Sequence, residues 1–181
     1  MSDVSGSRRL GRQHAFVILC SLDLGQVNTD KAIAKLWTST QLNEELGPDE
    51  KALVQREVVD SEKEFAEHLV RGVIANLSEI DTKLQAAAHN WTLQRMAMVD
   101  RNLLRLGVFE IVFEKQTAHR VSINEAVELA KRFGEYTSIK GKKGRYSPQF
   151  VNGVLDKIAS QTPRNEKEMD AHRRKKKKSS K

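Results

Sequence analysis

Two stretches in the C-terminal third, VSINEAVELAKRF at 121–133 and SPQFVNGVLDKI at 147–158, each join a helix-start signal to apolar residues at helical spacing. In the first, Ser122 and Glu125 form an S-x-x-E capping box, in which hydroxyl and carboxylate satisfy N–H groups that a helix start leaves without partners. Ile123, Ala126, Val127, Ala130 and Phe133 then recur at spacings of three and four, which predicts a buried face, with Glu125, Glu128, Lys131 and Arg132 towards water. The second has a Ser147 cap and Pro148 at the first helical position, where the missing N–H costs nothing. Val151, Val154, Leu155 and Ile158 form its stripe. A chain punctuated this way must bury one side of each helix against another.

The rest of the sequence carries the same period, with no sustained alternation of the strand type, so an all-α fold is expected. Helix one is expected from Arg8 to Leu24, with Ala15, Ile18, Leu19 and Leu22 inward and Gly25 as its stop. Arg8, Arg9 and Arg12 sit near its start, where positive charge opposes the helix dipole. A second helix spans Asp30–Trp37. A third starts near Ser61 with a Ser61/Glu64 box and carries Ala66, Leu69, Val70, Val73 and Leu77, and Ser78 caps a fourth. In residues 90–114 the pattern predicts a short helix, a break at Val99-Asp100, and a long apolar helix capped by Asp100, in which Gly107 admits a close neighbour.

The chain has 181 residues, 39% of them hydrophobic, which suits one ordinary domain with tails. Neither a membrane-length apolar run nor a secretory signal is read in the sequence, and Cys20 is the sole cysteine, so a cytoplasmic protein is expected. The net charge of +7 is segregated. Residues 164–181 carry nine Lys/Arg against three acids, 1–12 contribute +2 and 134–147 contribute +3, leaving the remainder at −4. Basic tails and one basic loop on a mildly acidic body point to a polyanion, nucleic acid first. The expected organisation is an arm at 1–7, a helical domain at 8–161 containing the basic loop 134–147, and a disordered lysine-rich tail at 162–181.

No catalytic constellation is visible. The five histidines are scattered, cysteine pairs are absent, and GEYTSIKGKKGR lacks the strand and the GK[ST] ending of a phosphate loop, so neither metal nor other cofactor is expected. Cys20 reads better as a small core residue than as a nucleophile. The run Arg173–Lys178 fits a solvated tail, a nuclear address or a generic polyanion binder alike. Lys140, Lys142, Lys143 and Arg145 say more, because they lead into the helix start holding Phe150. Cations, dipole and aromatic converge there, as a phosphate and its base require, although a merely soluble insertion fits too. Asn152-Gly153 is open between a close-packing device and an amide that reads a base edge.

RRLGRQHAFVILCSLDL, VDRNLLRLGVFEI, SINEAVELAKRFG and FVNGVLDKI together resemble the bacterial transcription antitermination factor NusB family over about Arg8–Ile158. The resemblance implies a compact domain of two packed three-helix bundles and a non-catalytic role: binding single-stranded boxA RNA in nascent transcripts with the ribosomal protein NusE, in an antitermination complex on RNA polymerase. It implies RNA contact by Arg8, Arg9 and Arg12, which match the arginine-rich segment, and by Phe150 and Asn152 of the F-V-N element. It also implies that Cys20, Leu24 and Asp100 lie on the partner face. Cys20 departs from the tyrosine of many members, and the lysine- and glycine-rich loop is longer than the family's link.

Two rival readings are weighed. NusB-like domains also occur ahead of RNA cytosine methyltransferases, but those need a further α/β unit with a glycine-rich loop, and only a charged tail follows Ile158. The alternative is a helical interaction module that binds a ribosomal protein and tethers RNA without sequence preference.

Overall fold

Every regular element among the described residues is a helix, as the periodicity requires. The structure is a computed structural model that describes residues 4–25, 28–38, 58–88, 92–114, 116–133 and 148–163. The elements are α1 (Val4–Asp23), α2 (Thr29–Thr38), α3 (Asp60–Ala75), α4 (Leu77–Ala87), a 3-10 turn (Leu93–Arg95), α5 (Met98–Val112), α6 (His119–Phe133) and α7 (Pro148–Gln161). The basic loop 134–147, including Ser147, and residues 164–181 of the tail lie outside the described residues.

Between Arg71 and Gly72 the chain divides into two compact units. In the first, α1 packs on α2, with Ala15, Phe16, Ile18 and Leu19 buried on one side and Ala32 and Ile33 on the other. His14 meets the Trp37 ring edge to face at 5.3 Å, and the Trp37 indole N–H donates to Glu67 Oε1 at 3.2 Å, tying α2 to α3. α1 ends as expected: Gly25 has φ +75°, a left-handed conformation that strains other residues, and its N–H donates to the Leu22 carbonyl at 2.9 Å.

In the second unit α5 touches α4, α6 and α7, and α7 also packs on α4 and α6. Residues Asn102–Leu104 and Leu106–Ile111 of α5 are buried, so this helix has hardly any face for water. Gly107 meets the expectation of a close neighbour, since a Cβ there would lie 2.7 Å from Leu155 Cδ1 of α7. Gly72 is a second such point that periodicity does not reveal, because its missing side chain makes room for the Phe109 ring. Polar bonds fix the register. Arg105 donates from Nε and Nη2 to the two Asp81 carboxylate oxygens, each at 2.8 Å, in a largely buried fork. Lys157 Nζ donates to the Ala87 carbonyl at 3.1 Å, a cation at the negative end of α4. Arg101 closes the 3-10 turn through the Leu93 and Met96 carbonyls at 2.9 and 3.3 Å.

Helix starts differ from the expected caps. α3 begins at Asp60, where the Val59 carbonyl accepts from Glu62 and Lys63, so Ser61 lies inside the first turn. α4 begins at Leu77, and the Asn76 amide turns back to the Gly72 carbonyl at 2.8 Å rather than capping, which leaves Ser78 inside. α5 runs unbroken through Val99-Asp100 from Met98, so Asp100 is a first-turn residue and not the cap. α6 starts at His119 with the Ala118 carbonyl accepting from Val121 and Ser122. A side-chain cap is worth about 1 kcal/mol, and an extra turn that adds backbone bonds and buries side chains outweighs it. In α6 that turn buries His119 and Ser122, and the inward face reads His119, Ser122, Ile123, Ala126, Leu129 and Ala130, with Val127 and Phe133 only half-buried. The α7 stripe is the expected one throughout.

Two substitutions test this packing. Gly72→Ala forces a methyl group into the Phe109 ring and is expected to destabilise by about 1 to 3 kcal/mol in denaturant titrations, as overpacking does. Ser122 is wholly buried and its hydroxyl has no hydrogen-bond partner among the described residues. Ser122→Ala is therefore expected to leave stability unchanged or raise it by about 1 kcal/mol, since an unsatisfied buried hydroxyl carries a desolvation cost. A capping serine would give a loss of similar size instead, and urea midpoints separate the two.

Candidate nucleic-acid interface

The arginine segment lies well inside α1, with more than a turn of helix before Arg8. Arg8 is half-buried, Arg9 exposed, and Arg12 only 3% exposed. One helical turn apart, Arg8 and Arg12 share the ring of Phe65 on α3, their guanidinium carbons 5.1 and 5.3 Å from its centroid. Gly11 permits the approach: a Cβ there would fall 2.9 Å from Phe65 Cδ1 and 3.2 Å from the Glu62 carbonyl. Of the three arginines expected to contact a polyanion, Arg9 is thus open to solvent and Arg8 partly so, while Arg12 is buried. Phe65 lies beside the stripe that spacing selects on α3, and the only hint in the sequence is an aromatic next to that stripe.

The F-V-N element occupies the first turns of α7. Pro148 takes the first helical position, and Phe150 is half-buried at the edge of the stripe, both as expected. The Asn152 amide donates to Asp156 Oδ2 one turn on, at 2.6 Å. At Gly153 nothing among the described residues lies within 4 Å of where its Cβ would be, so it is not a packing device against them. Asn152 and Asp156 also line an open groove of about 740 Å³ whose wall includes Arg120, Asn124 and Ser160. That lining mixes polar with apolar side chains and carries both signs. Lys140, Lys142, Lys143 and Arg145 lie outside the described residues. The arginine segment belongs to the first unit, and F-V-N to the second.

Of the residues expected on the partner face, Cys20 is half-buried and Leu24, four residues on, is 64% exposed just beyond the last turn of α1. Asp100 belongs to the second unit and is only 6% exposed. Burial strips water from its carboxylate and raises its pKa from 3.8 to about 6. No helix among the described residues is long and apolar enough to cross a membrane.

The NusB family model matches residues 9–160, from within α1 to the last turn of α7. The chain belongs to the NusB family. The transcription antitermination protein NusB of Myxococcus xanthus is 37% identical over 154 residues, covering 85% of this chain and 95% of that one. The NusB of Anaeromyxobacter dehalogenans strain 2CP-1 is 38% identical over 160 residues, 88% and 95% of the two chains. Among solved structures, T. maritima NusB superposes with a TM-score of 0.62 at 32% identity, covering 86% of this chain and 92% of that one. A crystal structure of the antitermination factors NusB and NusE in complex with dsRNA matches with a TM-score of 0.62 at 27% identity, over 86% and 97%. The NusB fold expected from sequence is therefore the fold observed.

Asp100 makes the stability of this NusB-family chain depend on pH. Its folded pKa lies above the unfolded value, so the folded state holds the extra proton between about pH 4 and 6 and stability falls as pH rises through that window. Above it the cost is at most about 3 kcal/mol, at 1.36 kcal/mol per pKa unit. Asp100→Asn is expected to raise stability at pH 7.5 by about 1 to 3 kcal/mol and to leave it little changed at pH 4, measured by urea denaturation at both. A loss at pH 7.5 would mean that the carboxylate is held by interactions stronger than its desolvation.

Proposed function

We propose that this chain is a non-catalytic transcription antitermination factor that binds single-stranded boxA-type RNA in nascent ribosomal transcripts together with the ribosomal protein NusE. It acts within an antitermination complex on RNA polymerase, in the cytoplasm. The observation that carries this reading is the family match over residues 9–160, in a chain that retains both the arginine segment and F-V-N. The NusB–NusE–dsRNA neighbour supports the choice of partners.

In this reading each residue has a physical task. Arg9 and Arg8 neutralise phosphates, and the loop residues Lys140, Lys142, Lys143 and Arg145 add to the attraction, which makes binding strongly salt-dependent. Phe150 stacks on an unpaired base, helped by its place in the first turn of α7, where unpaired N–H groups and the dipole favour a phosphate. Asn152 discriminates between bases, and its bond to Asp156 must open or rotate as the amide turns to a base edge. Arg12, being buried, contributes through Phe65 and not through direct contact. On the partner side, the exposure of Leu24 supports it as an apolar anchor for NusE, with Cys20 one turn before it. Asp100, in the second unit, is nearly buried, which favours a part in holding its own unit's surface over a direct ion pair with NusE.

The test is binding of the full chain to boxA-type RNA and to a scrambled strand across a salt series, with and without NusE. Preference for the boxA-type strand, increased by NusE, is the expected result. Equal binding to both strands would favour the interaction module that tethers RNA by charge alone. Phe150→Ala is expected to cost about 1 to 3 kcal/mol of boxA affinity with the salt slope unchanged. A flattened slope with base preference intact would overturn the stacking role.

A further inference from the structure

We infer that Phe65 is a positioning residue for RNA binding: its ring holds the Arg8 guanidinium in place, with buried Arg12 beside it. This rests on the RNA reading of α1 given above.

The geometry supplies each step. Arg8 and Arg12 are four residues apart, on one side of α1, and both guanidinium carbons lie near 5 Å from the same ring centroid, at 5.1 and 5.3 Å. Two cations so close repel, and the shared π-face lowers the cost of holding them together. Arg12 is buried and has an interaction besides the one with Phe65, so it is a fixed strut. Arg8 is different. Among the described residues it makes no hydrogen bond or ion pair, and its contact with the Phe65 ring leaves its donors unused by them. A planar fork whose rotamer is already set loses less freedom on gripping a phosphate than a side chain waving in water. Gly11 completes the arrangement, because any Cβ there would push Phe65 off the helix.

The inference separates charge from orientation, and a double-mutant cycle on the full chain reads both, with a boxA-type single-stranded RNA as probe and affinity measured across a salt series. Arg8→Ala is expected to weaken binding and reduce the salt slope by about 1, as for one lost phosphate contact. Phe65→Leu is expected to weaken binding by about three- to tenfold although every charge remains, and to have no effect once Arg8 is already alanine. Phe65→Tyr, which keeps the ring, restores the wild-type affinity. Arg8→Lys keeps the charge, lacks the planar face and leaves the interior untouched; it is expected to lose about as much as Phe65→Leu, and so carries the test should the latter fail to fold. Wild-type affinity for Arg8→Lys, or an equal loss from Phe65→Leu with and without Arg8, would overturn the positioning role. No effect of Arg8→Ala at all would instead overturn the RNA reading of α1.

Discussion

The near-complete burial of α5 is the constraint around which the second unit is arranged. A helix with so little exposed surface needs neighbours on almost every side, and α4, α6 and α7 are those neighbours. Close packing on all sides leaves no slack, so the approach points are built from absent side chains: Gly107 admits Leu155 and Gly72 admits Phe109. Apolar contact alone would allow the helices to slide. The Arg105–Asp81 fork and the Lys157–Ala87 bond remove that freedom, because a slip of one turn would strand half-buried charges without partners. α7 thereby acquires a definite register, and with it Phe150 and Asn152 acquire definite positions in the unit.

The first unit is governed by a cost rather than by a gain. Three arginines within five residues of one helix repel one another, and burying Arg12 adds desolvation to that cost. The Phe65 ring offsets part of it, and the open Gly11 position brings the ring within reach. Such an arrangement is wasteful for stability alone. It becomes intelligible when a cation has to be presented in a set orientation to an anion, which connects the packing of α1 on α3 to the proposed grip on RNA.

How much could be read in advance varied with the range of the interaction. The all-α class, the α7 stripe, Pro148 at the first helical position, the stop at Gly25 and the close approach at Gly107 all follow from local spacing or backbone chemistry, and all are present. Caps at Ser61, Ser78, Asp100 and Ser122 also rest on local chemistry, yet each residue lies inside a helix. A hydroxyl three residues before a glutamate shows where a helix can start. Whether it starts there depends on the burial available one turn earlier, and that is set by the neighbouring helices. In α6 the extra turn turns the expected cap, Ser122, into a wholly buried residue.

Among the candidate site residues the same division holds. The one-dimensional chain determined which side chains are available: arginines at 8, 9 and 12, the F-V-N element, a leucine at 24, and a family signature over residues 9–160. Residue type, helical period and motif are properties of neighbours along the backbone, so a sequence carries them whole. Only the tertiary structure decided that Arg12 is buried while Arg8 is half-exposed, that Phe65 lies against both, that Asn152 is held by Asp156, and that burial raises the Asp100 pKa to about 6. Each of those outcomes depends on removing a group from water or on bringing together residues far apart in the chain, as with Arg8 and Phe65. Solvation and long-range contact are set by packing, and no local pattern encodes them.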